Sequence, residues 1–126
     1  MGAVFYLGGA IAVVLVAVGV YAIASPHSLA HRYGVSVEGH DAVGWVRATG
    51  IRDVALGAAL GAAAYVHSLP VLVVLAVAGI LVSTGDLWIV SHHGGMRRYH
   101  AAHGIHASGI VAFVLVLAMA LFAIGR

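Results

Sequence analysis

The chain has 126 residues, of which 63% are hydrophobic and 8% are charged. This composition is far from that of a soluble domain, and it excludes a water-soluble helical bundle, whose helices need polar outer faces. There is no cysteine, so disulfides and thiol redox chemistry are excluded as well. The basic residues are all arginines at the ends of apolar stretches, which argues against nucleic-acid binding.

Four long apolar stretches predict four helices that cross a membrane, because each is near the roughly 20 residues that span a bilayer. Their bounds are residues 3–25, 44–66, 69–91 and 101–124. We therefore expect residues 1–126 to form a single all-α domain, a four-helix transmembrane bundle surrounded by membrane lipid.

The connections between the four helices carry their own signals. The first helix ends at Ser25-Pro26, since proline cannot continue a helix. The polar segment 26–43 predicts a short interfacial helix around Ser28–Tyr33. The tight turn at residues 66–70 makes the second and third helices antiparallel neighbours. The third helix is predicted to stop near residues 92–95, where two glycines follow two histidines.

A weak self-similarity relates residues 23–33 to residues 89–99 at an offset of 66, with identical isoleucine, serine, histidine, arginine and tyrosine letters. The likeness is typical of two helix pairs related by an axis along the membrane normal. Chance agreement at helix ends is the alternative.

Almost every ionisable residue falls at one end of the four helices, because the chain reverses direction at each loop. This polar end holds five of the six arginines and eight of the nine histidines. The positive-inside rule places it in the cytoplasm and both termini outside, in a bacterial inner (plasma) membrane.

Helical phase predicts where the polar side chains meet. On the second helix Arg52 lies opposite a face of small residues, Gly50, Gly57 and Gly61, which lets another helix approach closely. At 1.5 Å per residue Arg52 lies about 12 Å into the helix. An arginine at that depth needs a carboxylate partner or water. We expect this partner to be Asp86 of the third helix, with Asp53 as the second choice.

These residues predict acid–base chemistry in a polar pocket at the cytoplasmic half. Asp53 and Asp86 are the acid and base candidates, Arg52 is the electrostatic organiser, and His103 or His106 is an auxiliary proton carrier. Candidate substrate-binding residues share the same helix faces: Trp45, Thr49, Ser83, Trp88, Tyr99 and Phe113. An ion-pair network that only fixes helix register is the structural alternative.

The predicted function is that of a small integral membrane enzyme without a cofactor. Its substrate would be a hydrophobic lipid-, isoprenoid- or quinone-like molecule, and its reaction an isomerisation, a cyclisation or an epoxide opening. One alternative is a metal- or haem-binding protein, because imidazoles and a carboxylate at these positions have the chemistry of metal ligands. The alternative ligand set is His93, His103, His106 and Asp86.

Residues 50–57 read as G-x-R-D-x-x-x-G. This motif resembles the second-helix signature of small uncharacterised four-helix bacterial membrane proteins, which are distantly similar to the DoxX-like group. The resemblance implies a four-helix transmembrane bundle, points to Arg52 and Asp53, and suggests a non-catalytic accessory subunit of a redox or stress-response membrane complex. The glycine-rich faces, including Gly8-Gly9, suit either internal packing or a homo-oligomer.

The orientation can be tested with reporter fusions. We expect a reporter that is active only in the cytoplasm to work when it is inserted in segment 32–41 or 94–98, because both lie at the arginine-rich end. The same reporter fused after Arg126 should be inactive, and its activity there would overturn the orientation.

Overall fold

The computed structural model describes residues 2–33, 40–93 and 99–126. Within these ranges, the description leaves out the side chains of residues 32–33, 40–42, 93 and 99–102. The described part of the chain is helical without strands, which confirms the all-α part of the predicted fold class, while the four-helix bundle stays a prediction. The helices are α1 (Gly2–Ala24), α2 (Pro26–Tyr33), α3 (His40–Tyr65), α4 (Leu69–His93) and α5 (Tyr99–Ile124). The predicted long helices are found within a few residues of their expected bounds, and the short helix predicted after Pro26 is α2.

Three of the described helical segments are long and apolar enough to cross a membrane: Gly2–Ala24, Leu69–His92 and His103–Ile124. They indicate an integral membrane protein. The fourth predicted span, α3, has the length but a lower hydropathy, because Arg47, Arg52 and Asp53 lie among its many alanines and glycines.

The short helix α2 lies at the polar end and contacts α1, α3 and α5. Pro26 occupies its first position, where the missing N–H costs no helical hydrogen bond. The Tyr21 hydroxyl of α1 and the Ser28 hydroxyl of α2 are 2.6 Å apart and hydrogen-bonded. Ala30 is buried. This helix therefore packs across the end of α1 instead of continuing it.

The α3–α4 turn is closed by its own backbone. His67 adopts a left-handed conformation with φ of 56°. Its N–H donates to the Ala64 carbonyl at 3.2 Å, and the Ser68 N–H donates to the Ala63 carbonyl at 3.0 Å. These two bonds satisfy the last carbonyls of α3 in the pattern that usually places glycine at the left-handed position. The turn makes α3 and α4 antiparallel neighbours, as predicted.

The long helices associate chiefly as two pairs, α1 with α3 and α4 with α5. In the first pair, glycine residues allow the backbones of α1 and α3 to lie close together. A Cβ atom added to Gly50 would lie 2.7 Å from the carbonyl oxygen of Gly19 and 2.8 Å from the Cβ of Ala22. The predicted close approach at the glycine face of α3 is confirmed. The two pairs are those of the predicted repeat, while the duplication itself stays a prediction.

The core lies between the two pairs. Phe113 of α5 packs directly on Gly79 of α4, where any side chain would overlap its ring. Leu60 of α3 and Leu72 of α4 are fully buried in the same cluster. This apolar core lies mainly in the half of the helices that holds the α3–α4 turn, away from the polar end.

The close packing at Gly50 predicts that alanine destabilises the protein there but not at an open glycine position of the same helix. Gly50→Ala should lower the free energy of unfolding by about 1–3 kcal/mol, because the backbone of α1 cannot move away from the added methyl group. Thermal unfolding in detergent micelles, followed by circular dichroism, measures the change.

Gly44→Ala on the same helix is the matched control, since nothing lies within 4 Å of its added Cβ. It should be neutral or stabilising by up to about 1 kcal/mol through helix propensity. Equal effects of the two substitutions would contradict the close packing of α1 on α3.

Candidate functional site

The polar end is built around the guanidinium group of Arg52, which bonds to two carboxylates. Its Nη1 donates to Oδ1 of Asp86 at 3.0 Å, and its Nη2 donates to Oδ2 of Asp86 at 2.8 Å. This is the paired geometry in which an arginine binds a carboxylate most strongly. The predicted contact between Arg52 and Asp86 is confirmed.

Asp53, the second predicted partner, binds the other edge of the same guanidinium group. Its Oδ1 accepts hydrogen bonds from Nε of Arg52 at 3.2 Å and from Nη2 at 3.0 Å. Its Oδ2 takes part in no hydrogen bond within the described part of the chain, whereas both oxygens of Asp86 are used. We refer to the group of Arg52, Asp53 and Asp86 as the ion cluster. Within it, Oδ2 of Asp53 is the carboxylate oxygen that forms no hydrogen bond with a described residue.

The ion cluster is neither buried nor fully exposed. The side chains of Arg52, Asp53 and Asp86 are 37%, 16% and 21% exposed, respectively. One positive and two negative charges leave it with a net charge of −1 when both carboxyl groups are ionised. The three charged side chains are therefore fixed by their mutual bonds and can still be reached by a molecule from outside the protein.

Two histidines of α5 extend the polar region toward α4. The Nε2 atom of His103 lies 2.9 Å from the hydroxyl oxygen of Ser91 on α4. His106 lies one turn further along α5 and is half-buried. A role for His103 and His106 at the ion cluster stays a prediction.

Ser91 was not among the predicted site residues. Its hydroxyl donates to the Leu87 carbonyl one turn earlier at 2.6 Å and also contacts His103. The only sequence signal was its match to Ser25 in the weak repeat, which carries no information about a contact with α5.

The predicted substrate-binding tryptophans lie on the outside of the helices. Trp45 is 77% exposed, and its carbonyl accepts a hydrogen bond from the Thr49 hydroxyl at 3.1 Å. Trp88 is exposed and stacks on His92 with ring centroids 4.6 Å apart. Within the described residues, no hydrogen bond or ring contact joins either tryptophan to the ion cluster. Their role in binding stays a prediction.

Two further substrate-binding candidates, Ser83 and Phe113, lie on the facing surfaces of α4 and α5. Ser83 lies close to Gly109, whose added Cβ would be 3.0 Å from the serine hydroxyl. Phe113 is only 2% exposed and belongs to the core. The side chain of Tyr99 lies outside the described residues. All three also stay predictions as ligand contacts.

The alternative metal site finds no support among the described side chains. No group of three histidine, cysteine or carboxylate residues within them is arranged to hold a metal ion. The side chain of His93, one member of the predicted ligand set, lies outside the described residues.

Two surface depressions occur away from the ion cluster. A shallow groove of about 460 Å³ follows the seam between α1 and α3. It is lined by small residues and valines: Gly9, Ala12, Val13, Val16, Ala17, Gly57, Ala58, Gly61 and Ala62. A smaller one of about 160 Å³ lies between the start of α1 and the end of α5, beside Arg126.

The bond between Arg52 and Asp86 predicts energetic coupling between α3 and α4. In a double-mutant cycle with Arg52→Gln and Asp86→Asn, we expect a coupling free energy of about 1 kcal/mol, because the pair is in direct contact but partly screened by its exposure. Reversible unfolding in mixed micelles gives the four required free energies.

Arg47→Gln, on the same helix at an exposed position, provides the control cycle with Asp86→Asn and should show no coupling. A coupling free energy near zero for Arg52 and Asp86 would mean that the contact contributes nothing to the fold.

Comparison with known proteins gives a family for the chain. No curated protein and no solved structure matches the sequence. The predicted likeness to the DoxX-like group is not part of the family match and stays a hypothesis. The sequence profile that does match covers residues 12–121, and with them the ion cluster and both histidines. On this match the chain belongs to the family described as "Domain of unknown function (DUF4267)".

Proposed function

We propose that the protein is a small integral membrane enzyme that performs acid–base chemistry on a hydrophobic molecule with a polar group. The observation that carries the proposal is the ion cluster itself. Three charged side chains meet within helices that are otherwise almost entirely apolar, remain partly exposed, and leave one oxygen of Asp53 available. Ionisable groups in such a setting are costly, and this cost is most readily explained by a site.

The geometry divides the roles within the ion cluster. Asp86 uses both oxygens to hold Arg52, so we assign it to positioning. Asp53 is held through one oxygen and presents the other, so we assign it as the general base or acid that contacts the substrate. Arg52 keeps both carboxylates in place and stabilises negative charge that develops on a substrate oxygen.

The class of reaction follows from what these groups can exchange. In an isomerisation or a cyclisation, Asp53 removes one proton and a proton is returned at another position, so the composition of the substrate is unchanged. In an epoxide opening, a carboxylate activates water while an acid protonates the oxygen that leaves carbon. In this proposal His106 and His103 carry these protons.

In this proposal all four long helices cross the membrane, and α3 does so because its charges are paired. The pairing of Arg52 with two carboxylates lowers the cost of placing them in the apolar layer. The polar end with α2 faces the cytoplasm of a bacterial cell, and both termini lie outside. A lipid-, isoprenoid- or quinone-like molecule could then reach the exposed edge of the ion cluster from the bilayer.

A second candidate function is that of a non-catalytic accessory subunit in a membrane complex, as in the DoxX-like group. The groove between α1 and α3 favours it, because a surface of glycine and alanine allows close packing of another transmembrane helix. In that case the ion cluster only fixes the register of α3 against α4.

The two functions differ in the result of a conversion assay. Purified protein in lipid nanodiscs is incubated with a total membrane-lipid extract, and the extract is compared by mass spectrometry before and after. We expect one component to be replaced by a product of unchanged mass, or of a mass increased by one water. Asp53→Asn should lower the rate by about 100-fold or more, as expected for loss of a general acid or base.

Arg47→Gln is the matched control, since it removes an exposed charge from the same helix, and it should retain the wild-type rate. An extract left unchanged by the wild-type protein would contradict the enzymatic proposal and favour the accessory subunit.

A further inference from the structure

The only cation of the ion cluster has already committed most of its donors. A guanidinium group carries five N–H groups in a rigid fork. Nε and Nη2 of Arg52 donate to Oδ1 of Asp53, and Nη1 and Nη2 donate to the two oxygens of Asp86. Both edges of the fork that could hold an incoming phosphate or carboxylate through two donors are therefore occupied by aspartates. A single N–H, on Nη1, is left for another group.

The acceptors of the ion cluster are less completely used. Oδ2 of Asp53 forms no hydrogen bond with a described residue, and it is not a buried atom. The Asp53 side chain is 16% exposed, so this oxygen can be reached from outside the protein. It is an ionisable acceptor that a ligand can bind without breaking any bond within the ion cluster.

The charge of the ion cluster favours the same kind of ligand. One guanidinium group and two ionised carboxylates give a net charge of −1, which repels an approaching anion and attracts a cation. The ion cluster therefore offers a ligand one accessible acceptor, one remaining donor and a negative charge.

We propose that the polar group of the ligand is a hydrogen-bond donor, a hydroxyl or an ammonium group, that binds to Oδ2 of Asp53 and is carried by an otherwise apolar molecule. The apolar part is required by the surrounding helices, which are long and apolar enough to cross a membrane. Lipids with a phosphate or carboxylate headgroup are excluded, because such a headgroup finds neither two available donors nor a positive charge. This inference rests on the proposed function, in which the ion cluster is a ligand site.

The competing explanation is that apolar contacts alone hold a ligand and that Oδ2 of Asp53 binds only water. Four photoreactive probes separate the two explanations. All have the same dodecyl chain with a diazirine at the same position, and they end in a hydroxyl, an ammonium, a methyl ether or a phosphate group. The ether can accept a hydrogen bond but cannot donate one.

The experiment uses the full chain in nanodiscs of phosphatidylcholine, a lipid without net charge. Each probe is added and the sample is illuminated, and mass spectrometry of the intact protein measures the covalent labelling. Labelling that is suppressed by an excess of the same compound without the diazirine is counted as specific.

We expect specific labelling of the wild type by the hydroxyl and ammonium probes, whose relative yields show which donor is preferred. The methyl ether and phosphate probes should label at least roughly fivefold less, as expected for the loss of one hydrogen bond. Asp53→Asn keeps the shape of the side chain but removes its charge. It should lower the ratio of ammonium to phosphate labelling by roughly tenfold, because charge-assisted hydrogen bonds are the stronger ones.

Arg47→Gln is the matched control, since it changes the charge of the protein by one unit at an exposed position of the same helix. It should leave the labelling ratios unchanged. Circular dichroism shows whether Asp53→Asn is folded, and the comparison of the four probes on the wild type decides the question without any variant.

Equal specific labelling by all four probes, a preference for the phosphate probe, or no specific labelling at all would overturn the inference. A folded Asp53→Asn variant with the wild-type ratio would overturn it as well. Specific labelling by a donor probe, with the lipid extract left unconverted, would contradict the enzymatic proposal and support the ligand class. Conversion of an anionic lipid would do the reverse.

Discussion

The polar end of the protein depends on the guanidinium group of Arg52, because this one group binds carboxylates from two helices. Without it, Asp53 and Asp86 would be like charges held close together in a weakly solvated region. Removing one partner from such an arrangement costs far more than the intact pair contributes, since the remaining charges lose their compensation. Arg52 therefore links α3 to α4 and is also the centre of the proposed site.

The position of Arg52 depends in turn on the glycine residues on the other side of α3, which face α1. Gly50 and Gly57 allow the backbone of α1 to lie against α3, so that this face needs no side chains for packing. The opposite face is thereby directed toward α4, where Asp86 lies. Small residues on one face and charged residues on the other are thus two parts of one arrangement.

The fold was largely predictable because long apolar stretches and proline or glycine breaks determine helix positions directly. The contact of Arg52 with Asp86 was predictable for a similar reason, as helical phase and depth leave few partners for an arginine in an apolar segment. The exception was α3, whose hydropathy is lowered by the very charges that form the site.

Other features depend on tertiary packing and gave no such signal. Phe113, a predicted substrate-binding residue, packs on Gly79 in the core, and only the close approach of α4 and α5 reveals this packing. The contact between Ser91 of α4 and His103 of α5 is likewise one that no sequence period indicates. Asp86 binds Arg52 through both carboxylate oxygens and Asp53 through one, and this difference likewise follows from the orientation of a single guanidinium group.

The measurement that tests the central claim most directly is native mass spectrometry of the protein released from its own membrane. If the ion cluster is a site, the wild type and Arg47→Gln should carry the same hydrophobic molecule with a polar group, and Arg52→Gln should lose it. If all three carry only bulk phospholipid in the same proportions, the ion cluster holds the helices together and binds nothing.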